Sequence, residues 1–152
     1  MGYYSTLYVD FKDTEVEPFL VTENTKNHRG EKVDWYGFEG AKVEKDGNIE
    51  MGDYYAKFYD AEEFAKLLAT KIKKGRIRLH FVGDDGEASG FIVEPSAVVE
   101  YFGEDDYSLP YLSKGEELLV RLLQEKKERM LKEIKIIDER MKELASKEKR
   151  KD

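Results

Sequence analysis

The sequence predicts an α+β protein: a mainly antiparallel sheet with one short packed helix, followed by a long C-terminal coiled-coil-like helix. Three observations lead to this expectation. Residues 54–94 spell a strand, a helix and a hairpin with a stop signal at each joint. Asp46-Gly47 and Asp85-Gly86 each sit between short apolar runs, the pairing that antiparallel hairpins favour. From residue 113 to about residue 148 there is no proline, and the only glycine, Gly115, falls in the first turn.

Within the central run, Tyr54-Tyr55-Ala56-Lys57-Phe58-Tyr59 is aromatic-rich and reads as extended. Asp60-Ala61-Glu62-Glu63 has the form of a capping box, and Tyr59 is placed to staple onto Phe64. Ala61, Phe64, Ala65, Leu68 and Ile72 then recur at helical spacing on one stripe. Lys71, Lys73 and Lys74 follow where a helix dipole favours cations, and Gly75 reads as a left-handed cap. In residues 76–82 Ile77, Leu79 and Phe81 alternate onto one face of a strand. A two-residue turn at Asp85-Gly86 would set Leu79 opposite Ile92 and His80 opposite Phe91, leaving apolar side chains on both faces and a need for two covers.

Before this run, Tyr3, Ser5, Leu7, Val9 and Phe11 alternate with polar partners as a first strand would. That reading outweighs the bare acylation pattern of Met1-Gly2 with a later Ser or Thr. Pro18 interrupts any regular strand in residues 15–23, and residues 24–31 form a polar loop expected to be the most mobile segment. Extended structure is expected to resume over residues 32–38. Past the hairpin, Pro95-Ser96 makes a bend and residues 97–102 add a strand. The acidic stretch from Gly103 reads as the end of the body, giving a domain over 1–108, a linker over 109–112 and a helix over 113–152.

That helix would be about 50 Å long over some thirty-five residues. Val120, Leu123, Met130, Ile134, Ile137, Met141 and Leu144 step three, four, three, four along it, with Lys127 in the single polar slot of the heptad seam. Leu118, Leu119 and Leu122 widen the stripe near its start, so that part is expected to pack on the sheet while the distal part meets another polypeptide.

Composition narrows the function classes. The chain has 152 residues and no cysteine, so disulfides, thiol catalysis and Cys-based zinc sites are excluded. No apolar run approaches a membrane span and no export signal is visible, so the expected compartment is the cytoplasm. Charged residues reach 39%, dominated by Lys and Glu, a balance enriched in thermophile proteins. Residues 1–112 carry 13 Lys and Arg against 23 Asp and Glu, net −10, and residues 113–152 carry 13 against 10, net +3. A nucleic-acid surface has one candidate, the basic run Lys71, Lys73, Lys74, Arg76 and Arg78, which reads more readily as helix-end and edge-strand charge. His28 and His80 have no sequence neighbours that would complete a metal site, and Asp84, Asp85 and Glu87 fit turn chemistry better than a calcium loop. No nucleotide loop, nucleophile elbow or dinucleotide fingerprint is present, so neither an enzyme nor a cofactor is expected.

The opening Met1-Gly2-Tyr3-Tyr4 and the block from Tyr59-Asp60 to Gly86 resemble small uncharacterised α+β proteins of phages, plasmids and their prokaryotic hosts. The resemblance covers about a third of the chain and implies a compact α+β domain; the long terminal helix departs from it. The sequence alone therefore points to an interaction or oligomerisation module, with a homo-oligomer or a helical protein as partner and a nucleic-acid accessory role as the alternative.

Overall fold

A computed structural model describes residues 3–151. The chain is α+β, with antiparallel sheets, one short helix and one long C-terminal helix. In chain order the elements are β1 (Ser5–Asp10), β2 (Glu15–Val16), β3 (Phe19–Leu20), β4 (Lys42–Val43), β5 (Ile49–Glu50), β6 (Tyr55–Ala56), α1 (Ala61–Lys71), β7 (Ile72–Lys74), β8 (Ile77–Gly83), β9 (Ala88–Glu94), β10 (Ala97–Phe102), β11 (Asp106–Tyr111) and α2 (Gly115–Lys151). Six strands form the main sheet in the order β11-β10-β9-β8-β1-β6; β2-β7 and β3-β4-β5 make two small ones. Gly2, on which the acylation pattern rests, lies outside the described residues.

One face of the sheet carries Leu7, Ile77, Leu79, Phe81, Phe91, Val93 and Val98, all buried. Helix α1 packs against β9 and β10 and adds Phe64, Ala65, Leu67 and Leu68 to the same core. Phe64 stacks on Phe38 with ring centroids 4.3 Å apart. Of the stripe read from the sequence, Phe64, Ala65 and Leu68 are buried in the helix, Ala61 is half-buried, and Ile72 is buried in β7. A second apolar set, Ile92, Ala97, Val99, Tyr101 and Leu118, is buried apart from the main cluster, while on the same side of β8 Arg78, His80 and Val82 are half-buried.

The ends of α1 differ from the expected caps. Asp60 is the N-cap but makes no side-chain bond to the helix; its carboxylate accepts the amide of Tyr36 instead. Glu63 accepts from Asn27 Nδ2 at 3.0 Å rather than reaching back. Tyr59 is 55% exposed and packs on Tyr36. At the other end the helix stops at Lys71, and Ile72 turns extended to start β7, which pairs with β2. Gly75, at φ +84°, makes the β7–β8 turn and not a helix cap. Because β7 draws Lys73 and Lys74 into sheet pairing, these lysines leave the helix terminus.

The central hairpin is shifted by one residue from the expected register. Leu79 faces Phe91 and His80 faces Gly90. The loop holds three residues, Asp84-Asp85-Gly86, closed by Gly83 N–H donating to Glu87 O and Gly86 N–H to Gly83 O. Gly86 is left-handed at φ +86°, the bulge that follows a type I turn, and the Asp85 carboxylate accepts the Glu87 amide. The same arrangement recurs at Lys45-Asp46-Gly47, where Asp46 accepts the Asn48 amide and Gly47 has φ +97°. The extra residue moves every cross-strand partner by one, and apolar pairs Leu79–Phe91 and Ile77–Val93 come together on the core face.

Two other segments depart from the sequence reading. Residues 32–38 are not extended: Trp35 takes φ +55°, is fully buried, and its indole N–H donates to Thr25 O at 2.8 Å. The polar loop before it is anchored by buried Asn27, whose Oδ1 accepts the amides of Arg29 and Glu31. The end of the acidic stretch and most of the expected linker over 109–112 form the sheet's edge strand β11, paired with β10 from Val98–Tyr111 to Phe102–Asp106. Pro110 fits there because an edge strand has one side free of ladder bonds. The chain divides into two compact units, Met1–Leu119 and Val120–Asp152.

Candidate interaction surface

Helix α2 starts at Gly115, with Glu116 and Glu117 in its first turn, where the dipole favours carboxylates. A Cβ at Gly115 would meet Pro110 at 3.2 Å, so the glycine lets the helix start close to β11. Leu118 and Leu122 are buried. Past Lys126 the pattern changes, and residues 127–150 are all exposed. The seven seam residues, Val120, Leu123, Met130, Ile134, Ile137, Met141 and Leu144, are between 46% and 66% exposed in the single chain. Leu131 and Ile136 are exposed beside them. On the charged side of the rod, Gln124 donates to Glu128 and Arg140 pairs with Glu143 at 3.1 Å.

The five basic residues fall on three elements: Lys71 ends α1, Lys73 and Lys74 lie in β7, Arg76 precedes β8 and Arg78 lies within it. Arg76 meets Glu94 at 2.8 Å, and Lys74 lies 3.9 Å from Glu15. Arg78 donates to Tyr101 Oη at 2.9 Å and to the Glu104 carbonyl at 2.9 Å. Three of the five charges thus face carboxylates or a buried phenol of the same chain. Lys71 and Lys73 remain beside them, on a body whose residues 1–112 carry net −10.

The register places Tyr101 beside His80, a pairing the sequence reading missed. Tyr101 is fully buried and its hydroxyl lies 2.6 Å from His80 Nδ1, while Arg78 Nη2 lies 3.4 Å from the same nitrogen. A guanidinium, which can only donate, beside Nδ1 suits a neutral ring that carries its proton on Nε2. Burial, reinforced by the Arg78 charge, holds the His80 pKa below its ordinary value, and burial raises that of Tyr101. Glu104 Oε1 is 3.7 Å from His80 Nε2, beyond hydrogen-bond length. The group is a satisfied polar cluster in the sheet. Among the described residues no three His, Asp or Glu side chains are grouped to hold a metal ion.

A second feature missed in the sequence is a tyrosine surface. Tyr4 stacks on Tyr55 at 5.1 Å, and the Tyr55 hydroxyl donates to Asp84 while that of Tyr3 donates to Asp85. Lys57 Nζ lies 5.2 Å from the Tyr4 ring centre, and Tyr4, Tyr36, Asp53, Tyr55 and Lys57 line a shallow recess of about 340 Å³. The period-two pattern of β1 could have flagged Tyr4; nothing local flags Tyr36.

No known family, curated protein or solved structure matches the chain. No helix among the described residues is long and apolar enough to cross a membrane.

Proposed function

We propose that the protein is an interaction module that self-associates through α2, with Val120, Leu123, Met130, Ile134, Ile137, Met141 and Leu144 as the interface. The observation that supports this is the exposure of all seven along one heptad seam of the free chain. Burying such side chains is worth roughly 1.5–3 kcal/mol each, so leaving them half wet forgoes on the order of 10 kcal/mol. A helical partner protein would cover the seam by the same physics. A nucleic-acid role is less supported, because Lys74, Arg76 and Arg78 face groups of their own chain. The reading places the module in the cytoplasm without cofactor or catalytic role, and the Lys- and Glu-rich composition fits a thermophilic source.

Light scattering of the full chain tests it against an Ile134→Glu, Ile137→Glu variant. Truncation before α2 is unsuitable because it would remove buried Leu118 and Leu122. The expected result is an oligomer for the native sequence and a monomer with native circular dichroism for the variant. A monomeric native chain at 100 µM, about the upper end of working concentrations for a specific complex, overturns the reading.

A further inference from the structure

Resting on that self-association, we infer that two copies pair through α2 in antiparallel orientation, with the two-fold axis between Met130 and Ile134. In heptad terms Val120, Lys127, Ile134 and Met141 occupy a positions, and Leu123, Met130, Ile137 and Leu144 occupy d positions. An antiparallel pair matches a with d. Residue numbers summing to 264 then set Val120 against the partner's Leu144, Leu123 against the partner's Met141, Met130 against the partner's Ile134, and Lys127 against the partner's Ile137. Every seam residue is used, and no layer holds two lysines.

A parallel pair fares worse within the seam. Lys127 would face the partner's Lys127 in one a layer. Its flank pairs run from each g position to the partner's next e position: Lys126 with Leu131, Glu133 with Asp138, and Arg140 with Ala145. None of these attracts, and the second repels twice. In the antiparallel pair one flank brings Leu131 against the partner's Leu131, burying a side chain that is 55% exposed in the single chain, and sets Gln124 beside the partner's Asp138. The other flank sets Lys126 against the partner's Arg140 twice and Glu133 against the partner's Glu133, three like-charge contacts, so flank charge does not choose the orientation and the Lys127 layers, the Leu131 contact and the charge of the bodies carry it.

The bodies add a longer-range term. Each carries net −10 over residues 1–112 and is joined to the N-terminal end of α2. Parallel pairing tethers both bodies to one end of the rod. Antiparallel pairing tethers them to opposite ends, with anchor points separated along the seam by about 36 Å, several Debye lengths at physiological salt.

The chain has no cysteine, so single substitutions give unique cross-linking positions. Val120→Cys and Leu144→Cys full-length proteins are treated with a short bismaleimide separately and as an equimolar mixture. The expected result is a covalent dimer in the mixture and none from either variant alone. A Leu144→Cys homodimer, or a scattering dimer with no cross-link in the mixture, overturns the orientation while self-association stands. A scattering monomer throughout overturns self-association itself. Leu123→Cys with Met141→Cys is the matched second pair should either first variant fail to fold.

Discussion

The hydroxyl of Tyr101 lies where a side chain on Gly90 would begin: a Cβ built there would sit 2.4 Å from that oxygen and 2.1 Å from the Leu79 carbonyl. Gly90 is therefore required by close approach across two strands. Gly90→Ala is expected to force β8 and β10 apart and cost about 3 kcal/mol, the upper range of overpacking in a well-filled interior. Gly52→Ala is the control, since its Cβ would meet nothing within 4 Å and its backbone is not left-handed; it should be neutral or stabilising by up to about 1 kcal/mol. Urea unfolding of both variants checks the contrast, and equal midpoints would mean that Tyr101 does not hold this position.

The same contact explains what the sequence could and could not reveal. Helix α1, the β8–β9 hairpin and β10 were legible because their apolar periods and turn residues are local signals. The hairpin register was not, because Asp85-Gly86 suits both a two-residue turn and a three-residue loop. The choice is made by packing, with Leu79 set on Phe91 and Gly90 left under Tyr101. The capping box failed for a related reason: the Asp60 carboxylate is taken by Tyr36, twenty-four residues away in sequence. Strand β11 is hidden by the acidic Glu104-Asp105-Asp106 run that leads into it and by Pro110, which only an edge strand accommodates. The long helix α2 was legible for the same reason as α1, since a run free of proline and internal glycine with a helical apolar period is a local signal.

Acid should destabilise the body through its histidines. The chain has two, and burial is the first cause holding each pKa below its ordinary value, with Nδ1 of His28 buried and without a hydrogen-bond partner. The folded state then binds fewer protons than the unfolded one just below the unfolded value of about 6.5. Stability should be fully present above that pH and fall as pH drops from 6.5 toward the lowered folded values. Protonating His80 would also turn its acceptor nitrogen into a donor facing Tyr101 and Arg78. Proton NMR titration of the two rings reads both values directly; a midpoint at or above 6.5 for His80 contradicts the buried acceptor role.

Heparin retention should be weak and insensitive to the basic run. Arg76 and Arg78 are engaged with Glu94, Tyr101 and Glu104, and the 1–112 segment carries net −10. Neutralising Lys73 and Lys74 together is expected to leave elution salt unchanged to within about 50 mM, because few free charges contribute to counterion release. Tight retention that falls steeply with salt, and is lost in that variant, would move the protein to the nucleic-acid class.

Lys127→Leu should tighten the assembly. Lys127 fills an a slot in a seam whose other positions are apolar, and a lysine there lowers association while restricting pairing. Replacing it in each copy adds two apolar contacts, against the partner's Ile137 in the antiparallel pair. At about 1 kcal/mol each, the gain is about 2 kcal/mol, or a dissociation constant lower by about thirtyfold. The substitution lies where the helix is exposed, so the pH-dependent unfolding of the body should not change. Sedimentation equilibrium over a hundredfold range of protein concentration, about 2.7 kcal/mol in the association balance, is wide enough to resolve the shift. An unchanged or weaker constant would place Lys127 outside the contact and shift the interface off the seam, whatever the orientation of the pair.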